Sequence, residues 1–175
     1  RMFYEAFGIT SIDSVHVSKA IAQFLRTFVS GNSKYDKYLR GELILNSDEF
    51  AGFDLFRDLN GADCFHCHPH STSLFTDHSY ANNGLDVTLT DNGLGNVTGI
   101  PFDNGKFKVP TLRNIEYSFP YMHDGRFQTL DEVIDFYSDQ VQETSPNISP
   151  LMEHAAMGGA NLTTTEKAQL KAFLL

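Results

Sequence analysis

Apolar residues return at helical spacing in four places along the chain, each bounded by start or stop signals. Between Ser18 and Ser30, Ala20, Ile21, Phe24, Leu25, Phe28 and Val29 share one face and Gly31-Asn32 follows as a stop, the recurrence of an amphipathic helix. Asn46-Ser47-Asp48-Glu49 reads as a capping box, in which residues three apart satisfy each other's free N–H groups. Phe50, Phe53, Leu55 and Phe56 then supply an aromatic face before Asn60-Gly61 ends the segment. Thr129-x-x-Glu132 and Thr163-x-x-Glu166 open two further helices, with Leu130, Val133, Ile134 and Tyr137 on one face of the first and Leu170, Phe173 and Leu174 on the second. From Pro69 to Lys108, by contrast, 14 of 40 residues are Gly, Asn or Asp. A loop that long normally wraps something, and a cofactor would supply the surface. The predicted class is mainly α with long loops, one domain over residues 1–175.

Composition narrows the function classes. Twenty-two acids against thirteen Lys and Arg give a net charge of -9, with no basic run, so nucleic acid is not expected as a partner. No apolar stretch approaches the eighteen or so residues of a membrane span. The chain opens on Arg1-Met2-Phe3-Tyr4 and closes on Leu174-Leu175 inside a helical pattern, which reads as a fragment or a processed chain.

The two cysteines stand three positions apart in Cys64-Phe65-His66-Cys67-His68, a loop too small for a useful disulfide. C-x-x-C-H is the attachment signature of a c-type haem: two thiols on one turn add to two vinyl groups, and His68 reaches the iron. A thioredoxin-like dithiol lacks its βαβ setting here, and a zinc site lacks a second Cys pair, although His70 and His78 are available. Fifteen Phe and seven Tyr, with no Trp, suit a porphyrin pocket.

Further motifs carry a resemblance. Phe107-Lys108-Val109-Pro110-Thr111-Leu112-Arg113-Asn114, Pro120-Tyr121-Met122-His123-Asp124-Gly125-Arg126-Phe127 and Thr129-Leu130-Asp131-Glu132-Val133 closely resemble the bacterial dihaem cytochrome c peroxidase family, including its MauG-like branch. Tyr35-Asp36-Lys37-Tyr38-Leu39-Arg40-Gly41 and Phe75-Thr76-Asp77 add to the likeness. It implies a cytochrome-c-like helical domain with one covalent haem c, matching the C-terminal, electron-accepting half of those enzymes. The implied partners are the N-terminal haem domain, where hydrogen peroxide reacts, and a small cytochrome c or cupredoxin as donor. The implied location is the periplasm. A catalytic peroxidatic residue is not expected in this chain.

For the iron ligand opposite His68 the sequence offers Met122, Met152, Met157, Tyr137 and several histidines. The resemblance sets Tyr137 where peroxidases of the family carry Met and the MauG-like branch carries Tyr, so the order is Tyr137, then Met157, then Met152. Arg113 is a candidate for a haem propionate or a surface salt bridge. The resemblance also implies a partial calcium site on the carbonyls of Ser118 and Pro120. His123 is a candidate to support a propionate or the interface with the other half, or is simply structural. His16, His66, His70, His78 and His154 are expected to carry no chemistry. A stand-alone monohaem cytochrome c, a carrier without enzymatic activity, is the rival function; the aromatic-rich insertions exceed what a minimal carrier needs.

Overall fold

The computed structural model describes residues 1–175. Seven helices, α1 (Met2–Phe7), α2 (Ser14–Leu25), α3 (Lys34–Leu39), α4 (Ser47–Arg57), α5 (Gly95–Thr98), α6 (Leu130–Asp139) and α7 (Thr164–Leu174), are joined by loops and by short 3-10 turns. The only sheet pairs β1 (Tyr80–Ala81) with β2 (Phe107–Lys108), antiparallel, with Tyr80 opposite Lys108.

The expected capping boxes form at Asn46/Glu49, Thr129/Glu132 and Thr163/Glu166, and Ser33/Asp36 adds a fourth. α4 and α7 cross in backbone contact at Gly52: a β-carbon there would stand 1.9 Å from the Gln169 carbonyl oxygen. Around that crossing Tyr35, Phe53, Phe56, Phe75, Ile134 and Leu170 form one core, with Phe173 packed against it. A second core gathers Leu85, Phe136, Val141 and Ala155, with Met122, Tyr137 and Met152 beside it. α6 divides the two: Ile134 faces the first and Phe136 the second.

The long loop is held by protein contacts. Its Asn82 amide donates to Ser145 Oγ at 3.0 Å and to the Pro146 carbonyl at 2.7 Å, and Gln142 N donates to Gly84 O at 2.8 Å. The loop is thereby tied around the 141–149 turn.

The α2 pattern places its helix four residues earlier than its apolar face suggests, because Asp13 caps it by accepting from His16 N at 2.8 Å. That face is not in a core. No residue among 1–32 is buried, and Phe24, Phe28 and Val29 are 61, 65 and 87% exposed. The packed part of the molecule begins at α3.

Candidate functional site

Helix α4 ends at Arg57, and the chain turns through Asp63, which takes a left-handed φ of 52°, into a 3-10 turn over Cys64–His66. His68 N donates to the Cys64 carbonyl at 2.9 Å, so the motif closes on itself. Both cysteines are free thiols and half-buried. Burial pushes the Cys64 thiol up to about 12 and the Cys67 thiol to about 11, so both stay protonated.

His68 is oriented from behind. Its Nδ1 lies 2.9 Å from the Phe75 carbonyl oxygen, which fixes the proton on Nδ1 and leaves the Nε2 lone pair free. Burial holds the imidazole pKa below its ordinary value, with the carbonyls of Phe75 and Pro110 working the other way, so the ring is neutral. Phe75 presents its carbonyl by taking a left-handed φ of 49°. That conformation is uncommon for an aromatic residue and needs support from its surroundings.

The support comes from the motifs that carry the family resemblance. Thr76 Oγ1, fully inside, donates to Val109 O at 2.7 Å, and Thr111 Oγ1 donates to Leu74 O. Arg113 Nε donates to Ser73 O while Nη1 and Nη2 donate to Asp36 Oδ2 and Oδ1 at 2.9 and 2.6 Å. Arg113 and Asp36 side chains are only 9 and 11% exposed, so this is a buried, two-pronged pair. Of the two readings of Arg113, the structure shows an ion pair, with Asp36 and shielded from solvent rather than at the surface. Segments 35–36, 73–77 and 109–113 form one brace behind His68.

Tyr137 stands on α6, close enough to Cys64 and Cys67 to feel their charge. Its hydroxyl is buried, and burial pushes its pKa up to about 12; the Asn83 amide, donating at 3.0 Å, opposes the rise, and the nearby sulfurs of Cys64 and Cys67 add to it. The Tyr137 carbonyl is held by Ala160 N at 3.0 Å, while Gly159, at φ 140°, lies where a β-carbon would meet the Tyr137 and Ser138 carbonyls at 2.5 Å. Met122 comes to the same place, its sulfur 3.6 Å from the Asn83 amide nitrogen. Met152 packs beside the second core, whereas Met157 is 62% exposed at the end of a 3-10 turn. Met122 shares the Asn83 amide with Tyr137. Asn83 carried no sequence signal beyond its place in an Asn-Gly pair.

The remaining candidates lie outside this group. Ser118 and Pro120 are exposed in the loop after the 3-10 turn Ile115–Tyr117, and Ser118 Oγ donates to Ile115 O at 3.2 Å. His123 stacks on Phe107 with centroids 3.7 Å apart. No group of three or more His, Cys, Asp or Glu is gathered to hold a metal ion, which leaves the zinc reading without a ligand set.

The donors present fit a c-type haem. Two free thiols one turn apart match two vinyl groups, a neutral imidazole offers Nε2, and a phenol oxygen and a thioether meet at Asn83 beside the second apolar core.

Comparison with known proteins agrees. A family model described as di-haem cytochrome c peroxidase matches residues 1–43. Cytochrome c551 peroxidase of Nitrosomonas europaea is 38% identical over 138 residues, covering 76% of this chain and 40% of that protein. Methylamine utilization protein MauG of Methylorubrum extorquens is 36% identical over 180 residues, covering 99% and 47%. A crystal structure of a MauG-like protein associated with microbial copper homeostasis superposes with TM-score 0.77 at 35% identity, over 98% of this chain and 56% of that one. The diheme peroxidase BthA from Burkholderia thailandensis, at 22% identity and TM-score 0.69, shares the fold. The chain spans about half the length of the curated relatives it matches. With its C-x-x-C-H turn, its brace behind His68 and these relatives together, the chain belongs to the MauG-like dihaem cytochrome c peroxidase family.

Proposed function

We propose that this chain is the electron-relay half of a dihaem peroxidase or MauG-like oxidase and holds one covalent haem c through Cys64, Cys67 and His68. The observation that carries the reading is the His68 geometry: Nδ1 spent on the Phe75 carbonyl, Nε2 free, and two thiols outside any disulfide one turn away. Each thiol S–H adds across one vinyl C=C, so the attachment is covalent and needs no oxidant. Bound there, the haem supplies one-electron chemistry between a small redox protein, a cytochrome c or cupredoxin, and a second haem that reduces hydrogen peroxide.

Tyr137 is our choice for the distal ligand. An anionic oxygen favours the oxidised iron and lowers the potential, whereas a thioether raises it. The second haem would belong to the N-terminal domain that relatives of twice this length have room for, and the bare apolar faces of α1 and α2 suit packing against it. Ser118 and Pro120 would give a calcium ion only part of its shell, completed by that domain. Assembly of haem c outside the cytoplasm supports a periplasmic location, and no helix is long and apolar enough to cross a membrane.

The test is a pyridine haemochrome count on the chain produced with haem c maturation. One haem per chain surviving denaturation, and lost in Cys64→Ala with Cys67→Ala, is expected. A chain that keeps no haem after denaturation overturns the reading.

A further inference from the structure

The polar group facing the distal side that no role yet explains is the Asn83 carboxamide. Its nitrogen donates to Tyr137 Oη at 3.0 Å and to Met122 Sδ at 3.6 Å. A thioether sulfur has lone pairs and no proton, so it can only accept. Met122 therefore turns the amide nitrogen-first, and the remaining N–H falls to Tyr137, whose oxygen becomes an acceptor. An oxygen that receives a hydrogen bond is stabilised where it carries negative charge.

The chain neighbours of Asn83 are held in place. Asn82 Oδ1 accepts from Gly84 N at 2.9 Å, and Gly84, at φ 75°, has Val141 and Ile148 side chains within 2.9 Å of where a β-carbon would stand. Asn83 is thus fixed between two immobile neighbours. Met122 takes a left-handed φ of 70°, uncommon for a non-glycine residue, to bring its sulfur to the amide.

We propose that Asn83 is a positioning residue for the distal oxygen: its carboxamide, oriented by the Met122 sulfur, donates to Tyr137 Oη and raises the reduction potential above that of an unbonded tyrosine ligand. The proposal rests on Tyr137 being the iron ligand. A donor to that oxygen draws off negative charge that otherwise favours the oxidised iron. Removing it should shift the ratio of oxidised to reduced protein about tenfold toward oxidised, about 59 mV for one electron.

The experiment is spectroelectrochemistry on the haem-loaded chain with Asn83→Leu, Met122→Leu, Tyr137→Phe and the Asn83→Leu/Tyr137→Phe double variant. The expected result is a lower potential and a displaced tyrosine-to-iron absorption band in Asn83→Leu, a smaller fall in the same direction in Met122→Leu, and no effect of Asn83→Leu once Tyr137 is Phe. The same shift in the Phe background would mark a general packing effect and overturn the proposal. An unchanged potential in Asn83→Leu, with Tyr137→Phe altering it, overturns the proposal and leaves Tyr137 as ligand. A spectrum and potential indifferent to Tyr137→Phe remove the ligand reading and this one with it. Should Asn83→Leu fail to take up haem, Met122→Leu decides: no change in its potential overturns the role of the amide.

Discussion

Arg113→Met removes one member of the Asp36–Arg113 pair and leaves the other inside. Asp36 keeps two donors, Ser33 N and Ser33 Oγ, each at 2.8 Å, but loses both prongs of the guanidinium, and Ser73 O loses its partner as well. Breaking a buried pair from one side costs about 3–5 kcal/mol because a charge is stranded. The two retained donors place this site near the lower end, and the orphaned carbonyl returns about 1 kcal/mol. The expected loss is about 3–4 kcal/mol, read from denaturant unfolding of the haem-loaded chain. Asp36→Leu with Arg113→Met removes both charges, so it should cost less than Arg113→Met alone, apart from about 1 kcal/mol for the lost α3 cap. The pH dependence has a definite sign. Arg113 beside Asp36 holds that carboxyl well below the usual range, so its contribution is complete above about pH 4, the unfolded value, and fades as pH falls toward the folded one. Arg113→Met should flatten that acid loss. A cost below about 1 kcal/mol, or a double variant whose cost is the sum of the singles, would refute the reasoning. A guanidinium serving a propionate would instead show itself in haem retention and potential, with stability little changed.

Two further substitutions test the frame. Gly52→Ala drives a methyl group into the Gln169 carbonyl at 1.9 Å, so α4 and α7 have to part; the expected cost is about 3 kcal/mol, at the upper end of overpacking effects, and thermal unfolding checks it. Thr76→Val keeps the shape but strands the Val109 carbonyl and the His78 N–H that Thr76 Oγ1 serves; a loss of about 1–3 kcal/mol in chemical denaturation is expected, and a neutral outcome would mean that the loop under Phe75 is held some other way.

The helices were legible because their signals are local. Three capping boxes and the Cys64–His68 turn each lie within five residues, so neighbouring side chains suffice to define them. The contacts that orient the site span far greater separations. Asp36 and Arg113 stand 77 positions apart and Asn83 and Tyr137 stand 54 apart, and no periodicity reports a partner at that range. Arg113 shows the reason: its chemistry suits any carboxylate, and only the fold supplies Asp36. Met157 is a different case, since a Met before Gly158-Gly159 looks available to a haem from sequence, while its 3-10 turn leaves it exposed. Of the α2 face, Ala20, Ile21, Phe24 and Leu25 are helical while Phe28 and Val29 fall beyond the helix end, and periodicity says nothing of what covers them.

The exposure of residues 1–32 divides the chain into two regimes of amide protection. With no buried residue in α1 or α2, few contacts resist the opening of their backbone hydrogen bonds, and local opening there has a free energy near zero. Amides of α4 and α7, locked where Gly52 meets Gln169, exchange with solvent only when the whole domain unfolds. Exchange rates along the isolated chain would step sharply between α2 and α3, and a protease would find its first cut before Ser33.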